Sequence, residues 1–258
     1  MGGKKQYSVR NGKQSRSIKG NTSINFVATS DFASTLHFSM SDFAVIFDMD
    51  GVIADTNPTH DVAWRKFLDR YNIIPTDEEL QNHMYGKHNS YILSYFFKRN
   101  VISEELVQLQ YEKEALFREL YASIAQPISG LLPFLTDLKR NGVKTGIATS
   151  APVENLEMMV EQIPVLGEVM ESLLSEQDVT QHKPHPEVYL KSAQRLGVSP
   201  SQCVVFEDSV SGVKAGLAAG MKVVGVTTSH SSDELPPCNA YVNNYEELNY
   251  EFVKNLLH

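Results

Sequence analysis

From Phe43 onward, short runs of β-branched or aromatic residues alternate with segments of helical periodicity, the pattern of an α/β protein. Strands are expected over 43–48, 143–149, 203–207 and 222–226, with a short edge strand near Tyr241. Several are apolar on both faces, as buried parallel strands are. Helices are expected over 130–141, 153–161, 185–197, 209–220 and 244–256, with Gly142, Gly197 and Gly220 standing where helix C-caps belong. The predicted core is a Rossmann-like, doubly wound parallel sheet.

A helical block over 57–125 separates the first two strands and is too long for an ordinary crossover. Its helices read as 57–71, 77–84, 89–99 and 103–124. The expected organisation is a core of residues 40–56 and 126–258 with 57–125 as an inserted helical cap domain. The insert follows the loop after the first strand, which borders the ligand crevice in doubly wound sheets, so it is placed to act as a lid. Residues 1–39, rich in Ser, Asn, Gly and Lys and without periodicity, read as a disordered extension. Either Met40 is the natural start, or this basic, hydroxyl-rich and acid-poor stretch is a targeting peptide.

The net charge of −8 understates the acidity of the body, because residues 1–39 carry Lys4, Lys5, Arg10, Lys13, Arg16 and Lys19 against the single acid Asp31. So acidic a body argues against nucleic acid as a partner, which needs clustered cations. With no secretory signal, no apolar run of transmembrane length and only two cysteines, Cys203 inside an apolar strand, the chain reads as a cytoplasmic protein with no membrane partner. A monomer is expected.

The candidate chemistry lies at strand ends. The first strand runs into Asp48-Met49-Asp50-Gly51-Val52, where two carboxylates would face the crevice and Gly51 permits a sharp turn. The strand 203–207 brings Glu207-Asp208 to the same edge, though these could instead cap the following helix. Acids converging there without His or Cys suit Mg2+, which takes hard oxygen ligands. Thr149-Ser150 ends another strand before a helix, suited to holding a phosphate oxygen, and Lys183 stands in a loop stiffened by Pro184 and Pro186.

With these four signals in order, the sequence resembles the haloacid dehalogenase-like superfamily of phosphotransferases over about residues 42–230. The resemblance implies that Asp48 is a nucleophile forming an aspartyl-phosphate and that Asp50 is the general acid and base. Asp50 also distinguishes phosphatases and mutases from the dehalogenases. It further implies Mg2+ held by Asp48, the Asp50 carbonyl and Asp208, with Glu207 orienting a metal-bound water, and phosphate oxygens held by Thr149, Ser150 and Lys183.

In the insert, Thr56, His60 and Trp64 recur at i, i+4 on one helical face beginning just after Asp50. In its last helix Lys113 falls within an apolar stripe of Leu106, Leu109, Leu116, Leu120 and Ile124, where a lysine needs an anion or a path to water. These positions look like the branch containing β-phosphoglucomutase and small sugar phosphatases, which implies that Thr56, His60, Trp64, Gly86, Lys87, Asn89 and Lys113 face substrate. The chain departs from the mutases at Asn89, where they carry an arginine, and at Ala151-Pro152, where they carry Ser-Lys. Both departures remove cationic or polar grip on a bisphosphate, so hydrolysis of a small phosphorylated metabolite such as a sugar phosphate is expected ahead of mutase activity. A non-catalytic binding protein of the same fold is the third reading, which the intact Asp48, Asp50, Lys183 and Asp208 oppose.

Overall fold

The computed structural model describes residues 42–84 and 87–258. The expectations for residues 1–39, for Met40 and for Gly86 lie outside the described residues. Six strands, β1 (Ala44–Phe47), β2 (Lys144–Ala148), β3 (Ser172–Leu174), β4 (Cys203–Glu207), β5 (Lys222–Val226) and β6 (Ala240–Val242), form one sheet, parallel throughout, in the order β3-β2-β1-β4-β5-β6. β1 is central, its Phe47 in register with Ile147 of β2 and Phe206 of β4. The chain order reverses between β1 and β4, and the carboxyl ends of those two strands open the crevice where such sheets bind ligands.

Both faces of β1 are covered. Ala44 and Ile46 join one apolar cluster with Val205, Tyr189 and Val213, while Val45 and Phe47 join the other with Phe134, Phe206 and Tyr245. This two-sided burial is why the strands read as continuous apolar runs rather than alternating ones.

Among the described residues, four helices fill the stretch 57–125 that follows β1: α1 (Asn57–Asp69), α2 (Asp77–His83), α3 (Asn89–Phe96) and α4 (Ser103–Tyr121). A capping box at Thr76 and Glu79 starts α2, and the His88 side chain accepts from the Ser90 amide to start α3. Trp64 and Phe67 of α1 and Phe117 of α4 are buried in the cluster that also covers one face of the sheet. The remaining helices are α5 (Leu131–Arg140), α6 (Val153–Gln162), α7 (Val165–Val169), α8 (Glu187–Leu196), α9 (Val210–Ala218) and α10 (Tyr250–Leu257).

Three local expectations need correction. The strand β3 and helix α7, of three and five residues, are too short to show periodicity in the sequence. The last helix begins at Tyr250 rather than near 244, because the Tyr245 amide donates to the Ser129 carbonyl, its hydroxyl donates to the Val52 carbonyl, and Asn249 caps α10 by accepting from the Phe252 amide. The apolar stripe of α4 stops at Tyr121, leaving Ile124 beyond the helix and 55% exposed. Among the described residues no helix is long and apolar enough to cross a membrane, and both cysteines are unpaired.

Candidate active site

The end of β1 delivers Asp48 and Asp50 into the crevice. Between them the chain turns on the Met49 carbonyl, which accepts from the amides of Val52 and Ile53. Gly51 follows with φ of 74°, and a Cβ there would fall 1.9 Å from Asp208 Oδ2. The turn therefore needs glycine for its conformation and for the close approach of the acidic end of β4.

Asp48 and Asp50 have different custodians. Lys183 reaches in from the loop before α8 and donates to Asp48 Oδ1 and Glu207 Oε1, each at 2.7 Å. Asp50 Oδ1 instead accepts from the Thr56 hydroxyl at 2.7 Å and lies 3.5 Å from His60 Nε2. Thr56 is fully buried and its hydroxyl serves Asp50, while His60 and Trp64 line the cavity above.

Glu207 is wholly buried and saturated: besides Lys183 it accepts from the Tyr189 hydroxyl at 2.9 Å and from the amide and hydroxyl of Ser209. The cap of α9 is Ser209, whose hydroxyl accepts from the Gly212 amide at 3.0 Å, so neither acid serves in that role. Asp208 accepts from Ser229 and, at 3.5 Å, from Asn57 Nδ2, and Asn57 also donates to Ser229. Thr149 and Ser150, beyond β2, line the same space, with Thr149 Oγ1 accepting from the Ala151 amide.

Two cavity lobes meet here. One of about 80 Å³ is lined by Asp48, Thr149, Lys183 and Asp208, and one of about 100 Å³ by His60, Trp64, Asn89 and Lys113. Asp50, Asn57, Lys87 and Ser150 line both. Lys113 is almost wholly buried, donating to Glu114 Oε1 and sharing a hydrogen bond with His60 Nδ1, each at 2.8 Å. The anion that a buried lysine requires is thus its own neighbour in sequence.

Charge crowding sets the protonation of the group. Burial, reinforced by Glu207 and Asp50 and opposed by Lys183, pushes Asp48 up to about 7. Burial, with Glu207 and Asp48, raises Asp208 well above the carboxylate range. Burial also acts to raise Asp50, but His60 and Thr56 outweigh it and hold that carboxyl low. Burial disfavours the charged Lys183, yet Asp48 and Glu207 prevail and hold its ammonium above the ordinary value.

The donor set fits a divalent cation. Asp48, Glu207 and Asp208 are buried, and one carboxylate oxygen from each lies within 4.8 Å of the others. One lysine cannot balance that charge, and an all-oxygen set without His or Cys suits Mg2+ over zinc or copper.

Asn57, Glu114, Asn155 and Ser229 belong to this site and are absent from the sequence expectations. Ser229 follows β5 at the same sheet edge, and that position is the signal that could have revealed it. Glu114 and Asn155 carry no such signal, since they meet only in the folded chain, with Asn155 Nδ2 2.7 Å from Glu114 Oε2.

Compared with known proteins, residues 45–226 match the family model described as haloacid dehalogenase-like hydrolase. The fructose-1-phosphate phosphatase YqaB of Escherichia coli is 32% identical over 186 residues, which cover 70% of this chain and 95% of that protein. A β-phosphoglucomutase of Bacillus subtilis is 27% identical over 190 residues, covering 71% of this chain and 82% of its own. The crystal structure of a β-phosphoglucomutase from Clostridium difficile superimposes with a TM-score of 0.74 at 27% identity, over 83% of this chain and 96% of that one.

Proposed function

The chain belongs to the haloacid dehalogenase-like hydrolase family, and from that premise we propose that it is a Mg2+-dependent cytoplasmic phosphatase. Its substrate is a small phosphorylated metabolite of the sugar phosphate class, hydrolysed through an aspartyl-phosphate on Asp48. The observation that carries this reading is the separate control of two carboxylates two residues apart, Asp48 by Lys183 and Asp50 by Thr56 and His60.

Asp48 attacks phosphorus in line and forms the P–O bond while the bond to the leaving oxygen breaks. Asp50 gives that oxygen its proton, and the alcohol departs. Without substrate Asp50 is held as the anion, and the negative phosphoryl group arriving beside it favours its protonated form. Water then attacks the phosphoryl-aspartate and yields its proton to Asp50, so that inorganic phosphate leaves and the Asp48 carboxylate is regenerated. Lys183, Thr149 and the Ser150 backbone hold the peripheral phosphoryl oxygens, where most catalysis of this transfer arises. Mg2+, held by Asp48, Asp208 and the Asp50 carbonyl with Glu207 behind them, would supply the positive charge that lets one anion approach another.

Residues 57–125 serve as the cap, excluding bulk water and presenting His60, Trp64, Lys87, Asn89 and Lys113 to the substrate. Lys87, lining both lobes, is the observation that keeps a phosphosugar mutase as the second reading. Phosphate release in Mg2+ across a panel of sugar monophosphates, with β-glucose 1-phosphate and a trace of the 1,6-bisphosphate assayed for glucose 6-phosphate, decides between them. Free phosphate is expected. Glucose 6-phosphate without release would make the enzyme a mutase, and no product from any substrate would return the chain to a binding role.

A further inference from the structure

The lobe beneath the insert contains a buried carboxylate that the proposed chemistry does not use. Glu114 is 3% exposed and lines the 100 Å³ lobe. Its Oε1 accepts from Asn89 Nδ2 at 2.7 Å and Lys113 Nζ at 2.8 Å, and its Oε2 accepts from Asn155 Nδ2 at 2.7 Å. Lys113 is spent as well: it contacts Glu114 and His60, and its ammonium lies 4.9 Å from the Trp64 ring centroid. The buried cation of this lobe is therefore already neutralised.

A second phosphate entering here would meet a carboxylate and a lysine that already has an anion in place, and the other lysine of the lobe, Lys87, is exposed to solvent, where its charge is worth little. A hydroxyl group finds a better match. It can donate to the Glu114 carboxylate and accept from the Asn89 or Asn155 amide, a donor and acceptor pairing that a buried site rewards when made and penalises when left unmade.

We infer that Glu114, with Asn89 and Asn155, is a specificity-determining cluster that reads hydroxyl groups at the end of the substrate remote from the reacting phosphate and excludes a second phosphate there. The substrate class is thereby narrowed to polyol or sugar monophosphates. This inference rests on the phosphatase reading.

The test measures kcat/KM for sugar and polyol monophosphates, the bisphosphates of the same carbon skeletons, an amino-sugar monophosphate, and p-nitrophenyl phosphate as a probe without hydroxyls. Wild type is expected to prefer a hydroxylated monophosphate over its bisphosphate by at least about 100-fold. In Asn89→Arg, at a half-buried position, that preference should shrink at least about tenfold. In Glu114→Gln the preference for the hydroxylated substrate over p-nitrophenyl phosphate should fall by a similar factor. Bisphosphates used within about tenfold of monophosphates by wild type, preference for the amino sugar, or unaltered ratios in Asn89→Arg would each overturn the inference while leaving the phosphatase standing. No phosphate from any compound would overturn the phosphatase, and the inference with it.

Discussion

Gly212, in the first turn of α9, lies directly against the carboxylate of Glu207, so that a Cβ built on it falls 1.5 Å from Glu207 Oε1. Because Lys183, Tyr189 and Ser209 pin that carboxylate, it cannot swing aside cheaply. Gly212→Ala should therefore displace Glu207, lower kcat by at least about tenfold and destabilise the fold by about 1–3 kcal/mol. Thermal denaturation and steady-state kinetics check this, and a variant with wild-type values of both would show that Glu207 has room to move.

Asp48→Asn removes the proposed nucleophile while keeping the volume of a buried residue, 7% exposed, at the strand end. Turnover should fall by at least about 10³-fold, in keeping with the loss of a covalent nucleophile, with the melting temperature close to that of wild type. Residual activity near wild type would sink the aspartyl-phosphate mechanism.

Ser229 and Asn57 fix the orientation of Asp208. If Asp208 holds the cation, Ser229→Ala should weaken Mg2+ binding by about 10-fold, as loss of a group that orients a ligand typically does. Isothermal titration with the metal alone reads this without reference to turnover, and an unchanged dissociation constant would place Asp208 outside the metal site.

Glu114 is held at about 2: burial acts to raise it, but Lys113, His60 and the hydrogen bonds from Lys113 and Asn155 prevail. A folded-state value below the ordinary 4.5 means a contribution to stability that is present above pH 4.5 and is lost as the pH falls toward 2. Its size is on the order of 3 kcal/mol at neutral pH. Lys113→Met leaves the carboxylate buried without its cation and should cost about 3–5 kcal/mol at pH 7. Urea titrations at pH 7, 4 and 3 measure both effects, and a variant as stable as wild type at pH 7 would show the ion pair to be dispensable.

Strand ends made much of the site readable in the sequence. Asp48, Thr149 and Glu207 each close an apolar run, and in a parallel sheet all such ends share one edge, so their convergence follows from one-dimensional pattern alone. Lys183, in a loop, could be placed only through the resemblance to a known family. Glu114 was hidden because its meaning lies in partners at sequence separations of 25 and 41 residues, Asn89 and Asn155. The start of α10 was misplaced because the hydrogen bonds of Tyr245 to Ser129 and Val52 override the helical pattern of residues 244–249, a tertiary effect no local signal records.

The custody of Asp50 has a consequence for how such an enzyme diversifies. Asp50 stands in the turn after the central strand, yet Thr56 and His60, which govern it, sit at the start of the inserted helices, and His60 is tied onward to Lys113 in α4. Under the proposed chemistry, an exchange of inserts between relatives would transplant half of the proton-handling apparatus along with the substrate pocket. New specificity and retuned acid strength would arrive as one inheritance, while the nucleophile and its lysine stayed behind unaltered.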